Sequence, residues 1–399
     1  MQDWISPFHH VLEGLDASLS LNQEALTEDE QWMGEALKLA RHGLGFTAPN
    51  PPVGCVIVSK GQVLGKGYHR AAGQPHAEVE AVRDAANAVE GATAYVTLEP
   101  CNHQGKTPPC TDLLIEKKIA RVVVGTVDPN PRVNGAGLQR LRSAGISVEV
   151  LGGSIAQQAA ALIAPFREAI FYQKPWITMK LAVSSDGAIA AEPGVRTAIT
   201  GAGSLAMVHR LRAASDAVLV GANTVRIDDP LLNVRDVREW DYPFQQPLKI
   251  ILDPQLSLSG RERVFSTENS KVWVCHLPDA SNEQKKTLEN VGAQCLPIAA
   301  QRDTRRLDLK SLFSALAKRD IHSVLVEPGK ALFEALAREN TFNELFWFVG
   351  PDALGKNSVA PDSDLLQNPK VRSWLKAPGF GAVWRHIGED ALAIFPGNT

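Results

Sequence analysis

His76-Ala77-Glu78, followed by Pro100-Cys101 and, after eight intervening residues, Cys110, limits the folds open to this chain more than any other feature. The set supplies one imidazole, two thiols and a carboxylate that need not ligate. An imidazole and two thiolates suit tetrahedral zinc, and three protein ligands leave the fourth position to water, as in a catalytic site. Any fold must then bring positions 76, 101 and 110 together, with Glu78 beside them as proton carrier. The competing reading is a structural zinc or plain core cysteines; a structural zinc would want a fourth protein ligand.

A chain of 399 residues suits two or three domains, and 44% hydrophobic residues suffice for packed cores. A net charge of −3 gives no electrostatic footprint for non-specific nucleic-acid binding, while a small anionic substrate stays open. The five cysteines (55, 101, 110, 275 and 295) are an odd number in a long chain, which argues against a disulfide framework and for a reducing compartment. No Lys or Arg precedes Lys38, so the start has neither a secretory nor a transit-peptide character, and no apolar run approaches the roughly 18 residues of a membrane span. The expectation is a cytoplasmic protein with no membrane or nucleic-acid partner. A homo-oligomer is left open.

Residues 1–25 read as an N-terminal extension, either a short helix around Phe8–Leu15 or a tail. Thr27 to Glu30 forms a capping box, and helical spacing follows through Met33, Ala36, Leu37 and Ala40. Val53–Val58 and Val63–Gly67 flank Ser59-Lys60-Gly61-Gln62 as a hairpin. Helices are then expected at His76–Val89, Thr111–Ile119 and Leu138–Ala144, alternating with strands at Ala94–Leu98, Arg121–Gly125 and Ser147–Val150. This alternation implies a sheet covered by helices, with His76 and Cys110 at helix N-termini, where the dipole favours thiolate. One helix over Ser154–Tyr172 leads to Lys174-Pro175, the expected boundary between domains at 26–173 and 174–399. The second unit has strands at Trp176–Leu181, Ala217–Val220, Leu248–Leu252, Lys271–Val274, His322–Val326 and Leu345–Val349, and loops at Asp241–Pro247 and Gly350–Pro361.

Pro49-Asn50-Pro51-x-Val53-Gly54, Pro75-His76-Ala77-Glu78, Glu99-Pro100-Cys101-x-His103-x-Gly105-x-Thr107-Pro108-Pro109-Cys110 and Asp128-Pro129-Asn130-Pro131 together closely resemble the bifunctional deaminase/reductase family of riboflavin biosynthesis, the RibD family. H-x-E with P-C-x-x-C marks zinc deaminases generally; the wider gap ending in Thr-Pro-Pro-Cys sets this family apart. The resemblance continues through Lys180-Leu181-Ala182, Ser184-x-Asp186-Gly187, Leu211-Arg212-Ala213 and Asp228-Asp229-Pro230-x-Leu232-x-Val234-Arg235, covering roughly residues 27–397. It implies an α/β fold: a cytidine-deaminase-like three-layer α/β/α domain, then a dihydrofolate-reductase-like α/β domain. It also implies zinc and NADPH as cofactors and a phosphorylated pyrimidine as substrate. The family deaminates 2,5-diamino-6-ribosylaminopyrimidinone 5′-phosphate and reduces its ribosyl chain to ribityl.

The resemblance assigns zinc to His76, Cys101 and Cys110, and proton transfer to Glu78. Asn50, His103 and Lys106 fall on substrate positions of the deaminase, and Lys106 stands where the family usually has Arg. Asn50 is otherwise a turn former, and His103 an exposed loop residue. In the second unit NADPH falls to Ala182, Thr224, Asp228 and Gly329, and substrate to Arg212, Leu232, Arg235 and Glu327. Lys180 is a candidate catalytic residue, or else one half of an interdomain salt bridge. Gly201-Ala202-Gly203-Ser204-Leu205-Ala206 matches G-x-G-x-x-A, but without a βαβ unit it reads as a helix start.

Four positions depart from the family: Arg196 and Pro254 replace Ser, Ala198 replaces Trp, and Pro328 replaces a small residue. Pro328 removes an N–H where a cofactor phosphate is expected to meet a helix N-terminus. These departures motivate a competing reading, a deaminase with a non-catalytic second domain. A nucleotide or nucleic-acid deaminase is the remaining alternative, disfavoured by the eight-residue gap and the absent basic bias.

Overall fold

The computed structural model describes residues 5–12, 26–104, 108–130, 135–235, 237, 241–266, 271–362 and 383–396. Its first half runs α1 (Glu28–Arg41), β1 (Gly54–Ser59), β2 (Gln62–Tyr68), α2 (Ala77–Asp84), β3 (Thr93–Leu98), α3 (Cys110–Glu116), β4 (Arg121–Thr126), α4 (Ala136–Ser143), β5 (Ser147–Val150), α5 (Gly153–Leu162) and α6 (Ala164–Tyr172). Thr27 caps α1 as its sequence predicts: the Glu30 N–H donates to Thr27 Oγ1 at 3.3 Å and the Thr27 N–H donates to Glu30 Oε2 at 2.9 Å. The sheet order is β2-β1-β3-β4-β5, with β1 antiparallel to both neighbours and β3, β4 and β5 parallel. Helices α1 and α5 pack on one face and α2, α3 and α4 on the other, the expected three layers.

Two glycines set the helix heights. A Cβ at Gly54 would lie 2.0 Å from the Ala36 carbonyl oxygen, so α1 rests directly on β1. At Gly67 it would lie 2.4 Å from the Ala77 carbonyl oxygen, so the first turn of α2, next to His76, is pressed onto β2.

The single helix expected over Ser154–Tyr172 is two, α5 and α6, broken at Ile163. Pro165 has no N–H, and its ring collides with the carbonyl four residues back, so an unbroken helix cannot pass through it. Helix α2 stops at Asp84 rather than Val89, because Ala86 and Asn87 take positive φ angles of 48° and 63°.

The second half comprises β6 (Trp176–Val183), α7 (Ala202–Ala214), β7 (Ala217–Gly221), α8 (Ala222–Asp228), β8 (Leu248–Leu252), β9 (Val272–His276), α9 (Asn282–Asn290), β10 (Gln294–Pro297), α10 (Leu309–Ala317), β11 (Ser323–Val326), α11 (Lys330–Glu339), β12 (Glu344–Val349), β13 (Val383–Ile387) and β14 (Asp390–Pro396). They form a nine-stranded sheet ordered β10-β9-β8-β7-β11-β6-β12-β14-β13, parallel from β10 to β12 and closed by antiparallel β14 and β13. From β7 the chain steps outward to β8, whereas from β11 it crosses to β12 on the other side. Adjacent β7 and β11 therefore frame a switch point, where open α/β sheets bind ligands beyond the strand ends. The G-x-G-x-x-A segment begins α7: the Gly201 N–H and Ser204 hydroxyl both donate to Asp390 Oδ2, at 2.8 and 2.6 Å.

The N-terminal extension is more than accessory. A 3-10 turn spans His9–Leu12, and Phe8, Val11 and Leu12 are buried in one core with Met33 and Leu37 of α1, Met207 and Leu211 of α7, and Trp176, Phe346 and Phe348. Residues 13–15 of the expected helix lie outside the described residues. The Gly350–Pro361 loop is also fastened: Ile189 N–H donates to the Val359 carbonyl at 2.7 Å, and Asp186 accepts from the Leu354 and Gly355 N–H groups.

Candidate active sites

His76 is the N-cap of α2, Cys101 follows β3, and Cys110 opens α3. The sheet thus brings three residues distant in sequence to one point. His76 Nδ1 lies 3.5 Å from Cys101 Sγ and 3.3 Å from Cys110 Sγ, and all three ligand atoms fall within 4.8 Å of one another. Among the described residues no fourth His, Cys, Asp or Glu joins them. One nitrogen and two sulfur donors with an open position fit a catalytic zinc. The Cys110 N–H, free at the helix start, donates to Cys101 Sγ at 3.3 Å. Hydrogen bonds from Cys110 and His76 outweigh burial and hold the Cys101 thiol down at about 4, while Cys101 and burial push Cys110 up. The other three cysteines are free thiols outside this cluster.

Glu78 sits in the first turn of α2, only 3% exposed. Burial, with the Cys101 sulfur beside it, pushes its carboxyl up to about 7 despite the opposing pull of His76. A carboxyl poised there can both take and give a proton near neutral pH.

Sequence reasoning missed two supports. His69 is buried, its Nδ1 is 3.0 Å from the Pro75 carbonyl oxygen and its Nε2 is 3.0 Å from Asn50 Nδ2. A carbonyl only accepts, so Nδ1 carries the proton and Nε2 accepts from the Asn50 amide. Burial lowers the His69 pKa and keeps that neutral form. Asn50 is thereby fixed with its Oδ1 still available. Glu99, 3% exposed, accepts from the N–H groups of Asp128, Gly135 and Gly137 at 3.2, 2.9 and 2.9 Å, tying the loop after β4 to the strand end that carries Cys101. His103 is exposed, with Asp128 as its electrostatic neighbour, and Lys106 lies outside the described residues.

In the second sheet a cleft of about 830 Å³ opens at the switch point, lined by Thr224 and Asp228 of α8 and by Gly329 to Leu332 at the start of α11. The N-terminal N–H groups of α11 face it and suit a phosphate. Pro328 precedes the Gly329 N-cap, so it removes none of these donors, contrary to the sequence expectation. Pro254 also lines the cleft; Ala182 does not, and packs instead on the shared core.

Beside the cleft, Arg212 of α7 grips Glu327 through two hydrogen bonds, Nε to Oε1 at 2.6 Å and Nη2 to Oε2 at 2.9 Å, and its Nη1 donates to the Asn233 carbonyl at 3.1 Å. Burial raises the Glu327 carboxyl, but Arg212 and Lys180 outweigh it and hold it low. Lys180, half-buried on β6, lies 5.8 Å from the Phe348 ring centre, and burial lowers its pKa against the pull of Glu327. Among the described residues it makes no ion pair, and its partner is the Phe348 ring rather than a carboxylate. Arg196 acts electrostatically on Asp228 rather than lining the cleft. Leu232 is buried at φ 50°, and the Arg235 N–H donates to His209 Nδ1 at 3.3 Å.

Fold and site define an enzyme class: a zinc-binding deaminase unit joined to a reductase unit. A family model for the cytidine and deoxycytidylate deaminase zinc-binding region matches residues 26–126, and the RibD C-terminal domain model matches residues 175–377. The chain is 40% identical over 370 residues to the riboflavin biosynthesis protein RibD of Aquifex aeolicus, covering 92% of this chain and 98% of that one. The corresponding Escherichia coli protein is 38% identical, over 91% and 98%. The Acinetobacter baumannii RibD structure superposes with a TM-score of 0.78 at 36% identity, covering 93% of this chain and 99% of that one. A Thermotoga maritima diaminohydroxyphosphoribosylaminopyrimidine deaminase/5-amino-6-(5-phosphoribosylamino)uracil reductase gives 0.77 at 34%, over 93% and 99%. The chain belongs to the RibD family, and is a bifunctional deaminase and reductase of riboflavin biosynthesis with zinc and NADPH as cofactors.

Proposed function

We propose that the chain deaminates 2,5-diamino-6-(5-phosphoribosylamino)pyrimidin-4-one in its unit 26–173 and reduces the product's ribosyl chain to ribityl in its unit 174–399, in the cytoplasm. The observation that carries this reading is the three-ligand cluster of His76, Cys101 and Cys110 with buried Glu78 beside it. Zinc, when bound there, lowers the pKa of water to about 7 and so supplies a nucleophile at neutral pH. Glu78 would accept one proton of the attacking water and pass it to the ring nitrogen, then take the remaining proton from the new hydroxyl and pass it to the amine that leaves as ammonia. Asn50, oriented by His69, holds the pyrimidine edge, His103 donates to the base, and Lys106 contacts the substrate phosphate.

In the reductase, Thr224, Asp228, Gly329 and the first turn of α11 would hold NADPH. Lys180 faces the ribosyl group, where a cation aids the charge that develops on oxygen as hydride reaches carbon. Glu327 positions Arg212 through their two hydrogen bonds, and Arg212, Leu232 and Arg235 orient the phosphorylated substrate. Incubation of the zinc-loaded protein with the diaminopyrimidinone phosphate, followed by mass analysis, tests both steps. Without NADPH the amine should be exchanged for oxygen; with NADPH two further hydrogens should appear. An unchanged substrate would sink the reading.

A further inference from the structure

The end of the cleft beyond β8 carries side chains that neither reaction uses. We infer that Arg226, fixed by Ser257 and Asp253, and Arg306 read the 2′-phosphate of the adenosine ribose and thereby set a preference for NADPH over NADH; this rests on the assignment of the cleft to that cofactor. Lys180 is on β6, and β8 lies three strands away across β11 and β7, roughly 14 Å. With the nicotinamide near Lys180 and Asp228, an extended dinucleotide places its adenosine at the far end.

At such strand ends an acidic side chain accepts from the ribose hydroxyls and favours the unphosphorylated cofactor. Asp253 follows β8 in that kind of position, but it is 1% exposed and turned inward. Its Oδ1 accepts from the Ser257 hydroxyl at 2.8 Å and its Oδ2 from the Leu258 N–H at 2.9 Å. It therefore offers a ribose diol nothing. Ser257 instead accepts from Arg226 Nη1, and Arg226 Nη2 donates to Asn223 Oδ1. Two of five guanidinium donors are thus spent on fixing Arg226 in the cleft wall, and three remain. Arg306, from the loop after β10, lines the same cleft with its guanidinium unpartnered among the described residues, whereas neighbouring Arg305 is tied to Asp279 at 2.7 Å. Pro254, in the same wall, has neither N–H nor hydroxyl to give. The donors left unspent at this end include two guanidinium forks, the groups best matched to a phosphate dianion.

Calorimetric titration with 2′,5′-ADP and 5′-AMP, and with NADPH and NADH, isolates the 2′-phosphate from the chemistry. Arg226→Gln and Arg306→Gln should each weaken binding of the phosphorylated ligands by about 10- to 100-fold and leave 5′-AMP and NADH unchanged. Arg226→Lys, which keeps charge but not the fork, should recover only part. Equal losses for both ligand classes, or none, would overturn the inference, as would a native protein that binds NADPH and NADH alike. A native protein that binds no dinucleotide overturns the cofactor assignment itself, and this inference with it.

Discussion

Glu78 and Glu99 are both buried carboxylates near the zinc ligands, yet their surroundings give them opposite tasks. Glu78 is pushed up to about 7 by burial and by the Cys101 sulfur, which suits proton transfer. Glu78→Gln should keep zinc by metal analysis and lose deamination by more than roughly 100-fold, since the amide cannot carry the proton. Glu99 accepts three N–H groups and holds a loop. Glu99→Ala leaves those donors unpaired and should destabilise the protein by at least ~3 kcal/mol in denaturant titration; an unchanged midpoint would refute that role. The first residue was legible because H-x-E and the cysteines share a local pattern. The second was not, because its partners lie 29 to 38 residues away, and neither was the grip of His69 on Asn50, 19 residues away.

At the scale of elements, the sequence predicts strands best where apolar runs are short and bounded, and helices where a cap is written in, as at Thr27. It fails where one residue acts through geometry. Pro165 splits an apolar stretch of helical period, and Pro328 takes no N–H from α11 because it stands one place before the N-cap rather than inside the helix. The extension misled most: its weak periodicity hid the fact that Phe8, Val11 and Leu12 complete a core built from α1 and α7, which no local pattern encodes. Phe8→Ala should therefore cost about 3–5 kcal/mol of stability, as for a buried core aromatic, rather than the negligible change of a surface tail. Thermal or urea unfolding of the full chain decides between them.

Across the whole molecule the two chemistries occupy different sheets, five strands carrying the zinc ligands and nine framing the cofactor cleft. The domain order was legible from motifs, while of the cleft only Thr224, Asp228 and Gly329 were assigned to the cofactor, through the resemblance, since the rest of its wall is assembled from α8, α11 and the loops after β8 and β10. The zinc ligands sit at element ends, whereas the core beside them is built from apolar residues such as Val96, Leu114, Val122 and Leu141, none of which is a metal ligand. Removing zinc should then silence one reaction and spare the other. After chelation under reducing conditions, deamination should disappear, while the deaminated substrate still drives NADPH oxidation at an unchanged rate, followed by the fall in cofactor absorbance. Zinc added back should restore the first step alone. Loss of both activities together would mean that the metal also holds the architecture, and the separation of the two sites would have to be abandoned.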